Sequence, residues 1–273
     1  MNSSLQADCA RCFGLCCVAL PYARSADFAF DKDGGTPCRN LQDDFRCGIH
    51  QHLRDKGFKG CTVYECFGAG QKVSQNTFSG MDWATNPKLA KEMFDVFPIM
   101  QQLQEMLYYL TEAVNLNETR PILHELKMAI GEIEKLTQLR AAEIKQINIS
   151  NIRMKIKKLL IRTSELVRAE FIHKTYKVTG KRSDLIGAKL RKVDLVGANL
   201  QGALLIAADL KNADLRKSDL IGADLRDADL SGANLRGSIF LTQAQVNSAK
   251  GNADTKLPVL LSHPNHWMTV KAK

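Results

Sequence analysis

Eight cysteines stand within the first 66 residues of this 273-residue chain, and the remaining 207 residues have none. They are Cys9, Cys12, Cys16, Cys17, Cys38, Cys47, Cys61 and Cys66, spaced C-x2-C-x3-C-C, then C-x8-C, then C-x13-C-x4-C. A C-x2-C step lets two thiolates turn toward one ion, which suits zinc or iron–sulfur ligation. An even cysteine count in a small secreted domain would instead point to disulfides, and a redox thiol relay is a third chemistry. The compartment decides between them. The start, MNSSLQADCARC, lacks a cationic segment followed by an apolar run, and no stretch nears eighteen apolar residues. The expectation is a cytoplasmic chain with no secretion signal and no transmembrane segment, where thiols stay reduced and metal ligation leads. The adjacent pair Cys16–Cys17 calls for care: neighbouring side chains usually point apart, so the two would serve different metals or different faces.

The pattern resembles the zinc- or iron-chelating cysteine domain called YkgJ-like, whose shape is C-x2-C-x3-C-C, a C-x3-L stretch, a C-x-I step and a closing C-x4-C. Here these are Cys9 to Cys17, Cys38-Arg-Asn-Leu41, Cys47-Gly-Ile49 and Cys61-Thr-Val-Tyr-Glu-Cys66. An Arg-Pro common before the last pair is represented only by Arg54, and His50 stands where an aromatic is common. The resemblance implies a bound zinc ion or iron–sulfur cluster and leaves the metal's identity open. His50 would complete a C-x2-H site, although a surface histidine is the stronger reading. Phe13, Phe28, Phe30, Phe45, Phe58, Tyr64 and Phe67 are interleaved with the cysteines. Such aromatics can stack bases, but a small metal domain needs them first as core. Phe67-Gly-Ala-Gly-Gln-Lys-Val lacks the spacing of a phosphate loop and reads as the exit from the metal domain.

The segregation of the cysteines marks residues 1–80 as a metal-binding domain. An α-helical region is expected over 87–178. Pro87 opens a stripe of Leu89, Met93, Phe97, Met100, Leu103, Met106, Leu107 and Leu110; residues 115–121 break it, and Pro121 suits the first turn of a second helix. That helix carries Leu123, Leu126, Ile130, Ile133 and Leu136. A third stretch places Ile149, Ile152, Ile156, Leu159, Thr163 and Leu166 at three–four spacing, which suits a hairpin or the seam of a homodimer. Its outer face carries Arg153, Lys155, Lys157, Lys158 and Arg162, more often solvated than bound to nucleic acid or anionic lipid.

Residues 183–242 are twelve five-residue units in unbroken register, from SDLIG to SIFLT. Leucine centres the first eleven, Leu185 to Leu235, and Phe240 the twelfth; two positions earlier stands a small residue, usually alanine. A period of five fits neither 3.6 residues per helical turn nor the two-residue alternation of a strand. It fits a chain that turns a corner every five residues, with leucines and alanines inward and coils stacked to bury them. The pattern resembles the pentapeptide repeat family, A-(D/N)-L-x-x, and so implies a right-handed quadrilateral β-helix of about three coils, a stack of roughly 14 Å at about 4.8 Å per coil. The resemblance turns Asp194, Asn199, Asp209, Asp214, Asp219, Asp224, Asp229 and Asn234 outward, as turn and ladder residues rather than catalysts. Leu204, in a polar slot, is expected to leave an apolar spot on the surface.

After Phe240 the register dissolves, and residues 243–273 are expected to cap the open end. A short helix over 241–249 ended by Gly251, and Trp267 seated on the apolar end, do this better than a metal site at His263 and His266. The net charge of +9 is spread thinly: the repeat segment, counted from Lys181, carries ten positive and eight negative side chains. No nucleophile–base pair, phosphate cradle or carboxylate pair is apparent, so a non-enzymatic, metal-containing binding or scaffold protein with a protein partner is expected. Some relatives in the repeat family protect type II topoisomerases by mimicking DNA, and others give antibiotic self-protection. The cysteine-headed type also resembles proteins labelled oxetanocin A resistance protein. The small positive charge argues against a DNA mimic, and nucleic acid is not the expected partner. An iron–sulfur redox or sensing protein is the alternative.

Overall fold

Every fifth residue from 187 to 237 adopts the left-handed conformation, and this one regularity builds the repeat segment. Glycine fills the position in six units. Lys192, Ala207, Asn212, Lys217 and Asp227 adopt it with side chains attached, at φ of 54–59°. The carbonyl of each central leucine accepts from the N–H three residues on, as Leu185 does from Ala188 at 3.1 Å. A positive φ at the third residue with that closing bond is the signature of a type II turn. The Asp or Asn preceding the leucine braces the same corner: Asp194 Oδ1 accepts from the Val196 N–H at 3.0 Å and Asp224 Oδ1 from Arg226 at 3.1 Å. These acidic residues are thus structural parts of the turn.

Corners every five residues and parallel bridges every twenty give coils of four units. Asp184 bridges Leu204, which bridges Asp224; Asp194 bridges Asp214, which bridges Asn234. With so few residues per side, successive coils meet in isolated bridges, and no extended strand occurs among the described residues. The computed structural model describes residues 3–171 and 183–268; residues 172–178 of the expected helical region and 269–273 of the expected cap lie outside them. Leu195 to Leu220 and Leu230 to Phe240 are sealed, with Ala198, Ala203, Ala208, Ala228 and Ala233 filling the gaps between coils.

The tail does not simply lie over the last coil. Lys250 bridges Asp229 and Lys256 bridges Asn234, so the ladder continues with one and then two extra residues. A helix, Gln243–Ser248, is started by Thr242, whose hydroxyl accepts from the Gln245 N–H while the Gln245 side chain accepts from the Thr242 N–H. Trp267 is 5% exposed in the repeat core and donates to the Ala249 carbonyl at 2.9 Å. His263 and His266 engage the carbonyls of Thr255 and Ala249 on either side of that indole. Gly251 lies under it, with no room for a β-carbon.

Contacts group the described residues into two compact units, 3–115 with 120–160 and 116–119 with 161–268. In the first, α1 (Pro87–Val114) buries Met93, Phe97, Met100, Leu103, Met106, Leu107 and Leu110 along its expected stripe, with Leu89 half-buried. Pro87 sits at its start, where a missing N–H costs nothing. Pro121 falls within a 3-10 turn, Asn117–Ile122, rather than in the first α-turn. Helix α2 (Leu123–Leu136) follows and packs on α1. Helix α3 (Ile149–Arg168) begins where the Asn148 side chain accepts from the Asn151 N–H. It buries Ile156, Leu160, Thr163, Ser164 and Val167, leaving Leu159 and Leu166 half-exposed. The basic face is largely neutralised: Arg153 meets Glu105, Lys155 meets Glu132 and Arg162 meets Glu165.

One outward placement is corrected by the second unit. Asp219 is fully buried, its carboxylate held by the Gln201 amide, the Ser164 hydroxyl and the Ile221 N–H. Burial pushes its pKa up against those bonds. Here Ser164, Arg168 and Phe171 approach the coil: Arg168 donates to the Gly197 carbonyl at 2.9 Å. Leu204 is 39% exposed and, bridged to Asp184, lies near the exposed Ile186 on the first coil.

Candidate functional site: the cysteine cluster

Two anchors gather the eight cysteines, and a different stretch of chain supplies each. The first is the segment that sequence reading took for an exit. Cys66 is followed by Phe67 and Gly68 in left-handed conformations and by a helical turn, Ala69–Gln71, that runs into Lys72–Thr77. Gln71 clamps the start of the chain, accepting from the Asp8 N–H at 3.2 Å and donating to the Gln6 carbonyl at 2.7 Å. Ser74, fully buried, accepts from the Phe13 N–H. Gly70 lies directly against Cys12, where a β-carbon would come within 2.6 Å of Sγ. The turn Cys9–Arg11, capped by the Asp8 side chain, is thereby laid beside Cys66. Cys12, Cys16 and Cys66 all border one apolar core built from Leu15, Val18, Val73, Met93, Phe97 and Ile144.

The second anchor is Tyr22. Its hydroxyl donates to Cys38 Sγ at 3.2 Å, and the Asn40 N–H reaches the same sulfur at 3.5 Å. The ring stacks on Phe28 at 4.4 Å, and Phe28 fills the space over Gly60, next to Cys61. The Cys38 N–H donates to the Cys17 carbonyl at 2.9 Å, and a bridge between Leu41 and Cys47 folds Cys47 back toward Cys38. Phe30 meets Phe58 edge-on and Phe45 lies between Phe13 and Trp83, so these aromatics are occupied with one another, as a core requires.

Lys32 was missed by sequence reading. It is 6% exposed, and its ammonium donates to three backbone carbonyls, of Val18, Asp33 and Thr36, at 3.0–3.1 Å. Burial lowers its pKa, while Cys38 and Cys17 oppose that shift. Nothing in the local sequence separates this lysine from a surface one.

Crowding by the surrounding chain pushes the thiols up: Cys12 and Cys61 to about 12, with Cys9, Cys47 and Cys66 raised for the same first reason. Cys16 is raised first by its hydrogen bond with Cys17, their sulfurs 3.9 Å apart, and then by burial. All eight thiols are free, and the exposed His50 opens the turn after Cys47, its N–H donating to the Cys47 carbonyl at 3.2 Å. Among the described residues, no three Cys, His, Asp or Glu side chains converge closely enough to hold an ion. The donor set itself fits zinc or an iron–sulfur cluster: soft thiols, partly buried, beside a fixed cation that would offset thiolate charge. Away from the cysteines, a groove of about 750 Å³ in the first unit is lined by Met128, Leu136, Ile156 and Leu159 with Lys127 and Glu132 at its rim. No helix among the described residues is long and apolar enough to cross a membrane.

The family model "Pentapeptide repeats" matches residues 183–220 and 203–240. The uncharacterized protein YybG of Bacillus subtilis (strain 168) is 63% identical over 268 residues, spanning 98% of this chain and 96% of that protein. Among solved structures, the pentapeptide repeat protein alr5209 of Nostoc Pcc 7120 is 31% identical over 35% of this chain and 85% of its own, with a TM-score of 0.25. The pentapeptide repeat protein AT2G44920 of the Arabidopsis thaliana thylakoid lumen is 31% identical over 30% of this chain and 57% of its own, at 0.17. The chain belongs, with YybG, to the pentapeptide repeat proteins.

Proposed function

We propose that the chain is a non-enzymatic scaffold that carries both a metal-loaded cysteine module and a rigid coil platform, and that its ligand is another protein. The coil stack is read as the right-handed quadrilateral β-helix of its family, supported by bridges at twenty-residue intervals. The observation that carries the functional reading is the local pairing of charge on the platform. Arg216 grips Asp214 and Arg226 grips Asp224 at 2.6 Å, Arg191 meets Asp209, and Lys211 meets Asp229. A surface most of whose acids are matched by a neighbouring base has little anionic field with which to imitate a duplex. Protein recognition, including a role in antibiotic self-protection, is the reading that remains.

Metal content and visible absorbance of protein purified without oxygen test the module. Colourless protein with zinc supports the scaffold. Brown protein with iron and acid-labile sulfide would move the reading to redox sensing. A supercoiling assay tests the disfavoured alternative, since relief of gyrase inhibition would restore the DNA mimic.

A further inference from the structure

We propose that the groove between α2 and α3 is a self-association site taken by a second copy of this chain, with Met128 of each copy seated on Gly131 of the other.

The ridge of α2 that borders the groove carries Met128 and, about one helical turn on, Gly131. Met128 is 63% exposed, a large apolar side chain that its own chain leaves in water. Gly131 stands inside the helix, where glycine weakens the structure relative to alanine. Nothing in its own chain requires it. A β-carbon there would meet no atom within 4 Å beyond the helix's own backbone. The knob and the notch are therefore both unused within one copy. Leu136, Ile156 and the half-exposed Leu159 supply the apolar floor beside them.

Charge and spacing select the occupant. Lys127, Lys135 and Lys155 line the groove with Glu125 and Glu132, and among the described residues only Lys155 and Glu132 form an ion pair, at 3.1 Å. A rim of both signs, nearly balanced, offers no field to draw a strongly acidic or strongly basic partner. It does match a rim of the same mixture, whose free glutamate can meet these free lysines. In a two-fold interface residue i meets j while j meets i. An axis passing midway between 128 and 131 of antiparallel α2 helices therefore fills both notches with both knobs at once. The unbranched thioether adapts to such a fit, and the missing β-carbon lets it approach the backbone. A helix of another protein would have to be built to this notch, whereas a second copy already carries the knob at the matching distance.

Sedimentation equilibrium of the full chain over micromolar concentrations is expected to show a reversible monomer–dimer equilibrium. A brief hydroxyl-radical pulse on wild type, followed by peptide mass, should oxidise Met128 in the monomer and spare it in the dimer. Met154, 59% exposed and outside the groove, should react equally in both. Met128→Ala and Gly131→Met should each weaken the dimer by at least roughly tenfold, equivalent to about 1.4 kcal/mol. The double variant Met128→Ala/Gly131→Met exchanges knob and notch about the two-fold axis and should recover most of that loss. A chain that stays monomeric, a dimer in which Met128 remains as reactive as in the monomer, or a double variant no tighter than Gly131→Met alone each overturns the proposal. The wild-type oxidation pattern does not depend on whether any variant folds.

Discussion

Two substitutions of opposite sense at equivalent corners test the account of the coils most directly. Gly197 and Ala207 occupy the same position in their units, at φ of 66° and 54°. At Gly197 a β-carbon would lie 2.3 Å from Phe171 Cβ, well inside contact distance. Gly197→Ala therefore incurs left-handed strain of about 1–2 kcal/mol and overpacking of about 1–3 kcal/mol. The expected loss is about 2–5 kcal/mol on these two principles together. Ala207 already bears the strain, and its residue is exposed. Ala207→Gly releases about 1–2 kcal/mol of strain and returns about 0.5–1 kcal/mol of backbone entropy, leaving a gain of about 0–1.5 kcal/mol. Urea unfolding followed by Trp267 fluorescence in a Trp83→Phe background isolates the second unit, because Trp267 lies in its core. Unchanged midpoints for Gly197→Ala, or a loss for Ala207→Gly, would refute the left-handed corner as the source of the turn.

Other outcomes follow from the same geometry. Gly70→Ala drives a methyl into Cys12 Sγ; it should cost about 1–3 kcal/mol, and an unchanged urea midpoint would dismiss the contact. Lys32→Met removes the donor shared by the Val18, Asp33 and Thr36 carbonyls and should cost about 1–3 kcal/mol, read as a lower urea midpoint of the first unit. Asp219 has its folded pKa raised by burial. Its contribution to stability therefore falls as pH rises from the unfolded value, near 4, through the folded one. The melting temperature of Asp219→Asn should gain on wild type between pH 4 and pH 7, and parallel curves would contradict this. Trp267→Ala should cost about 3–5 kcal/mol by denaturant unfolding. Trp267→Phe, which loses mainly the bond to the Ala249 carbonyl, should cost nearer 1 kcal/mol.

The coil was legible because its period is local. Leucine, small residue and turn residue recur every five positions, and each does the same job wherever it stands. Asp219 escaped that logic. Its letters match those of Asp214 and Asp224, and only Ser164, which approaches from α3, makes it a buried carboxylate. The cysteines are legible as a set, but not how the chain places them, because that depends on hydrogen bonds between positions as far apart as Asp8 and Gln71. The Gly-Ala-Gly stretch, lacking a phosphate-loop spacing, reads in sequence as the exit from the metal domain, and its use is steric, holding open the place beside Cys12.

The twenty-residue ladder constrains how such a gene can change length. One side of the coil meets α3 through Gly197 and Asp219, while the tail joins the ladder at Asp229 and Asn234. Inserting a single five-residue unit between them would carry every later residue round by one corner. The tail would then leave from a different side relative to the helix, although the core pattern would read as intact. Only additions in multiples of four units preserve both attachments. Length variation between these two attachments should therefore come in whole steps of twenty residues, and a repeat segment differing by five or ten would need a rebuilt ending.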